Sequence, residues 1–139
     1  MGKSFEQNNF HEKIEDTEES VIAALKQEKS GMEERQPNKR KDGEGDPKYE
    51  VLSMFIEIAE EKGFVEAYNS LKDYEKYAVI TRLENQAYYG KISYDFVEKF
   101  RKELYGTITD ASGDEFINYE KMDQLSEDLF EKWKQSKER

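Results

Sequence analysis

Aromatic residues are distributed very unevenly along this chain. All nine tyrosines, the single tryptophan and six of the eight phenylalanines lie from Tyr49 onward. Aromatic side chains bury more apolar area than any others, so a packed core has to be built from that part. Charged residues make up 39% of the 139 positions against 35% hydrophobic, and a chain this polar has too little apolar surface to bury its whole length. The sequence therefore divides near Pro47, into a polar N-terminal extension over 1–47 and a helical domain over 48–139.

The extension has one apolar pattern. Phe10, Ile14, Val21 and Leu25 recur at multiples of three and four, with Thr17 in the gap, which predicts an amphipathic helix over 10–29. Asp16 followed by Glu19 suggests a capping-box-like start. A lone helix of this length is marginal in water, so the stripe needs a surface. We expect Phe10, Ile14, Val21 and Leu25 to serve a partner protein, with docking on the chain's own body as the other outcome. Residues 30–46, SGMEERQPNKRKDGEGD, read as a flexible linker. Lys39, Arg40 and Lys41 form the only basic cluster, read as solvated linker, with phosphate contact as the alternative.

The body carries helix boundaries in its sequence. Asp46-Pro47 is an N-cap followed by proline at the first helical position. Tyr49, Leu52, Phe55, Ile56 and Ala59 form one stripe, and Gly63 suits a C-cap. A short helix is expected over 64–72. Asp73 is the expected cap of a third, whose apolar residues wrap around the cylinder as a central helix requires. Gly90 ends it, Ser93 caps the next, and Gly106 stops that one. The stretch 107–118 has strand-like or irregular character. A last helix is expected after Asn118, with Ile117 and Met122 as a hydrophobic staple. The fold class this implies is all-α, a small bundle of four to five helices.

Chemistry is limited by what the body lacks. The one histidine, His11, lies outside it, and there is no cysteine. Imidazole and thiolate are the groups that most readily do proton transfer, nucleophilic attack and soft-metal binding near neutral pH. No catalytic residue, metal ligand or cofactor is expected, and the chain reads as a non-enzyme. Lacking a leader-like or membrane-spanning apolar stretch, it is expected to be cytoplasmic with no membrane partner. A net charge of −10 repels phosphate backbones, which disfavours direct nucleic-acid binding and favours a partner protein with a basic or nucleic-acid-binding surface.

Residues 110–121 resemble an EF-hand calcium loop. Asp110, Ser112, Asp114 and Asn118 stand at loop positions 1, 3, 5 and 9, with Ile117 at position 8. Glu115 replaces the glycine of position 6, and Lys121 stands where the family has a bidentate glutamate. Those departures imply a capped turn or short hairpin that holds no calcium. On the last helix, Glu120, Asp123, Glu127 and Glu131 are spaced three, four and four apart, which aligns four carboxylates on one face. With Tyr88 and Tyr89, they complete the expected partner-binding set. The functional reading is a small acidic regulator or inhibitor of the immunity, antitoxin or anti-defence type. The alternatives are a nucleic-acid-associated accessory protein using the basic linker, and a degenerate EF-hand-like calcium-responsive module.

Overall fold

The computed structural model describes residues 17–35 and 46–137. Among them lie six helices and one two-stranded hairpin: α1 Glu18–Arg35, α2 Pro47–Lys62, α3 Phe64–Asn69, α4 Asp73–Tyr88, α5 Tyr94–Tyr105, β1 Thr107–Thr109, β2 Glu115–Ile117 and α6 Tyr119–Lys137. The described residues are mostly helical, with that hairpin as their only sheet.

Local chemistry sets most of these boundaries. Asp46 Oδ1 accepts from the Lys48 N–H at 2.9 Å, and Pro47 begins α2. Ser93 Oγ accepts from the Phe96 N–H at 3.2 Å at the start of α5. Gly106 closes α5 with its N–H on the Lys102 carbonyl. Asn118 Oδ1 accepts from the Lys121 N–H as α6 begins. Two expectations move. The short helix ends at Asn69 rather than residue 72. Asp73 is the first residue of α4 instead of its cap; the exposed N–H of Lys72 is met by Glu75 Oε1 at 2.9 Å.

α4 is the central element. It packs against α1, α2, α5 and α6, and buries Tyr77, Ala78, Val79, Ile80, Leu83 and Ala87 around its circumference. Beside it an aromatic knot joins α2, α3 and α5. Phe64 meets Phe55 edge to face at 5.3 Å, Phe96 at 5.5 Å and Phe100 at 5.5 Å, and stacks on Tyr68 at 6.0 Å. Phe55 and Phe64 are fully buried; each contributes about 1.5–3 kcal/mol through the area it removes from water. Edge-to-face contacts add roughly 0.5–1.5 kcal/mol apiece.

The N-terminal helix corrects the sequence reading most. It spans Glu18–Arg35, crossing Ser30 and Gly31 into the stretch expected to be linker. Its cap is Thr17, whose Oγ1 accepts from the Ser20 N–H at 3.0 Å, so Thr17 is not a member of the apolar stripe. Phe10, Ile14 and Asp16 lie outside the described residues. The buried positions of α1 are Val21, Ala24, Leu25, Glu28 and Met32. A stripe at 21, 25, 28 and 32 has helical spacing, but its third member is a carboxylate, which hides the pattern from a search for apolar residues.

Candidate partner-docking face

α1 has to be placed first, because Val21 and Leu25 were expected at a partner interface. Both are fully buried, and α1 packs on α2, α3 and α4 of its own chain. The physical reason is Glu28. Only 5% exposed, it accepts from Arg82 Nη1 at 2.8 Å, Asn85 Nδ2 at 3.0 Å and Gln86 Nε2 at 2.7 Å, all on α4. A buried carboxylate is tolerated only when its charge is paired and its oxygens are bonded, and α4 supplies both.

At the other end of α1, Glu18 Oε1 accepts from the Phe64 N–H at 2.6 Å. That bond caps α3, whose N-terminal neighbour Gly63 has no side chain to do so. Gly63 holds φ at +95°, and a Cβ there would stand 2.8 Å from Glu18 Oε1. The φ demands glycine at this position, and a side chain there would also push on the Glu18 carboxylate that bonds Phe64. Ion pairing of Lys26 with Glu60 and a hydrogen bond from the Tyr49 hydroxyl to Glu33 complete the seam. α1 thus supplies cohesion, and the outward surface lies elsewhere.

The hairpin and α6 form that surface. Ile108 faces Phe116 across the strands, and both remain exposed, at 43% and 44%, while Ile117 on the opposite side is buried. The turn between the strands is built on one atom. Asp110 Oδ1 accepts from the Ser112 N–H at 2.9 Å, the Ser112 hydroxyl at 2.7 Å and the Asp114 N–H at 2.9 Å. Those bonds, that of the Ser112 hydroxyl first, hold the Asp110 carboxyl below the usual aspartate range. The calcium loop that residues 110–121 resemble uses the same Asp-x-Ser-x-Asp start to bind an ion. Here those groups are turned on the chain itself, and Lys121 is a cation where an ion's last ligand belongs. The residues present do not fit calcium. Among the described residues no group of three or more histidine, cysteine or acidic side chains is placed to hold a metal.

α6 leads directly out of this hairpin. It buries Leu125 and Leu129, with Met122 packed against the core and Trp133 half-buried. Glu120, Asp123, Glu127 and Glu131 are all exposed. Two aromatics stand among them, Tyr119 at 52% and Phe130 at 44% exposure. At about 100° per residue, Tyr119, Phe130, Asp123, Glu127, Glu120 and Glu131 fall within a stripe roughly 120° wide. The carboxylate row was legible in the sequence; the aromatics within it were missed, although 119, 123, 127 and 130 also have helical spacing.

Tyr88 and Tyr89 lie apart, at the α4–α5 corner. They are 73% and 63% exposed, with rings edge to face at 5.2 Å and Tyr94 exposed nearby in sequence. Behind α6, Arg101 on α5 pairs with Glu84 of α4 and Glu98 of its own helix, both at 2.9 Å. Burial raises the Glu84 carboxyl above its ordinary value, with Arg101 pulling the other way. Burial also opposes the Arg101 charge, but Glu84 and Glu98 more than offset it and its proton is held more tightly than usual.

No protein-family model matches the chain, and comparison with curated proteins and with solved structures gives no match either. No helix among the described residues is long and apolar enough to cross a membrane.

Proposed function

We propose that this chain is a non-enzymatic regulator or inhibitor of the immunity, antitoxin or anti-defence type, a helical bundle that docks its α6 face on a basic protein surface. One observation carries the reading: the α6 stripe, in which Tyr119 and Phe130 stand exposed along one edge of a row of four carboxylates. Solvation accounts for carboxylates on an outer helix face but not for Phe130, nor for the exposed part of Tyr119, whose side chain also bonds Arg101. Aromatic anchors beside a charged row are a usual composition of an interface that buries a few residues and steers the rest. The exposed Ile108–Phe116 pair extends the apolar part onto the hairpin, and the net charge of −10 favours a cationic partner.

The test is affinity capture from the native host with the unaltered chain and with Asp123→Lys/Glu127→Lys. A stoichiometric basic partner held by the first, lost with the second and weakened by added salt is the expected result. Equal retention of that partner by both proteins would remove the α6 face from the proposal.

A further inference from the structure

Val21 and Leu25 belong to the core, which leaves the first two members of the N-terminal stripe without a surface. Phe10 and Ile14 lie outside the described residues, and the α6 face makes no use of them. An open groove of about 420 Å3 lies along the seam between α1 and α2. Its apolar lining is Ile22 and Ala23 from α1 and Ala59 from α2, and Gly63 stands at the α2 C-cap within it. Glu19, Ile22, Ala23 and Lys26 are spaced to share one edge of α1, beside the buried row of Val21, Leu25, Glu28 and Met32. On that edge Ala23 is exposed and Ile22 only partly buried. The seam is therefore closed underneath and leaves apolar surface open along its outer side.

Where the chain enters α1 says what covers it. Thr17 caps the helix, and Glu18 beside it lines the groove while bonding the Phe64 N–H, so the chain arrives at the groove's own end. Ile14 stands three residues before Thr17 and Phe10 seven. An extended chain gives them a reach of roughly 10 Å and 24 Å from that point. The other apolar cleft, lined by Val51, Met54 and Trp133, sits at the far end of α2. Twelve residues of helix separate Val51 from Gly63, about 18 Å at the usual rise, which is outside the reach of Ile14. We propose that segment 10–16 docks in the α1–α2 groove of its own chain, setting Phe10 and Ile14 on Ile22, Ala23 and Ala59. The contact removes two large apolar side chains and the open edge of the seam from water together. It extends the stripe begun by Val21 and Leu25 onto the outside of the same seam, and it does not depend on the α6 reading.

The experiment is NMR on the full chain, reading nuclear Overhauser effects from the Phe10 ring and the Ile14 methyls to the methyls of Ile22, Ala23 and Ala59. They are expected in the unaltered chain and unchanged on dilution. They are also expected to be absent from the isotope-filtered spectrum of a mixture of labelled and unlabelled chains, which places the contact within one chain. Ala23→Arg sets a long charged side chain in the groove at an exposed helical position and is expected to abolish them. Phe10→Ala is expected to shift the Ile22 and Ala23 methyl resonances and to lower the thermal midpoint by about 2–5 °C. Four results would overturn the proposal. The first is no effect from either side chain to the groove, with its methyls unmoved in Phe10→Ala. The second is contact with Val51 and Met54 instead. The third is signal in the filtered spectrum, which would make a second copy the occupant. The fourth is full retention of the contacts in Ala23→Arg.

Discussion

α1 and α6, of 18 and 19 residues, are the two longest helices among the described residues, and they join the fold in opposite ways. α1 is seated by specific polar bonds at both ends of an apolar seam: Glu18 on the α3 N-terminus, Glu28 on three donors of α4. α6 is seated by apolar side chains, Leu125 and Leu129 with Met122, and turns its carboxylates and two aromatics outward. The difference shows how two acidic helices come to divide labour. Carboxylates with internal donors fix a helix in place, whereas carboxylates left in solvent leave a face available.

Substitutions that break one side of this contrast are expected to leave the other alone. Glu28→Ala strands Arg82, Asn85 and Gln86 without their acceptor, and should lower stability by about 3 kcal/mol, the low end for breaking a buried charged pair. Chemical denaturation measures it; a loss below about 0.5 kcal/mol, ordinary for a surface site, would mean that the network does not hold α1. Gly63→Ala strains a φ of +95° and drives a Cβ against Glu18, 2.8 Å away. A cost of about 1–3 kcal/mol is expected. Coupling to Glu18→Ala in a double-mutant cycle would tie that cost to α1. On α6, Asp123→Lys/Glu127→Lys should leave the thermal midpoint nearly unchanged, within about 0.5 kcal/mol, because both side chains are solvated. A large destabilisation there would make the face structural.

How far the sequence disclosed this contrast follows from what periodicity and capping can see. α2, α5 and α6 begin where Asp46-Pro47, Ser93 and Asn118 direct, because a cap acts on its own next turn. The α6 carboxylate row was visible for the same local reason. Glu28 was not, since its partners lie 54 to 58 residues away and a carboxylate inside a stripe reads as an interruption. The Gly, Pro and charges of residues 30–46 read as linker and end the expected helix at Lys29, which leaves Val21 and Leu25 a partner or the chain's own body as the surface to cover.

A smaller expected effect sharpens the α6 side. Asp110 orders the turn that leads into that helix, and its carboxyl is held below the ordinary aspartate value by bonds from Ser112 and Asp114. A depressed folded pKa means that its contribution is present above the unfolded value and is lost as pH falls through the folded one. Carbon-detected NMR titration should give Asp110 a midpoint below that of an unperturbed aspartate. A midpoint at or above it would show the turn open in solution.

The central claim is that α1 belongs to the fold rather than to a partner. Urea unfolding of the chain begun at Thr17, beside the chain begun at Gln36, isolates α1 and nothing else that the structure describes. The shorter chain is expected to unfold at lower urea, with a shallower slope, because Val21, Leu25 and Met32 no longer cover α2 and α4. Superimposable curves would contradict the account and return α1 to the role of a partner-binding arm.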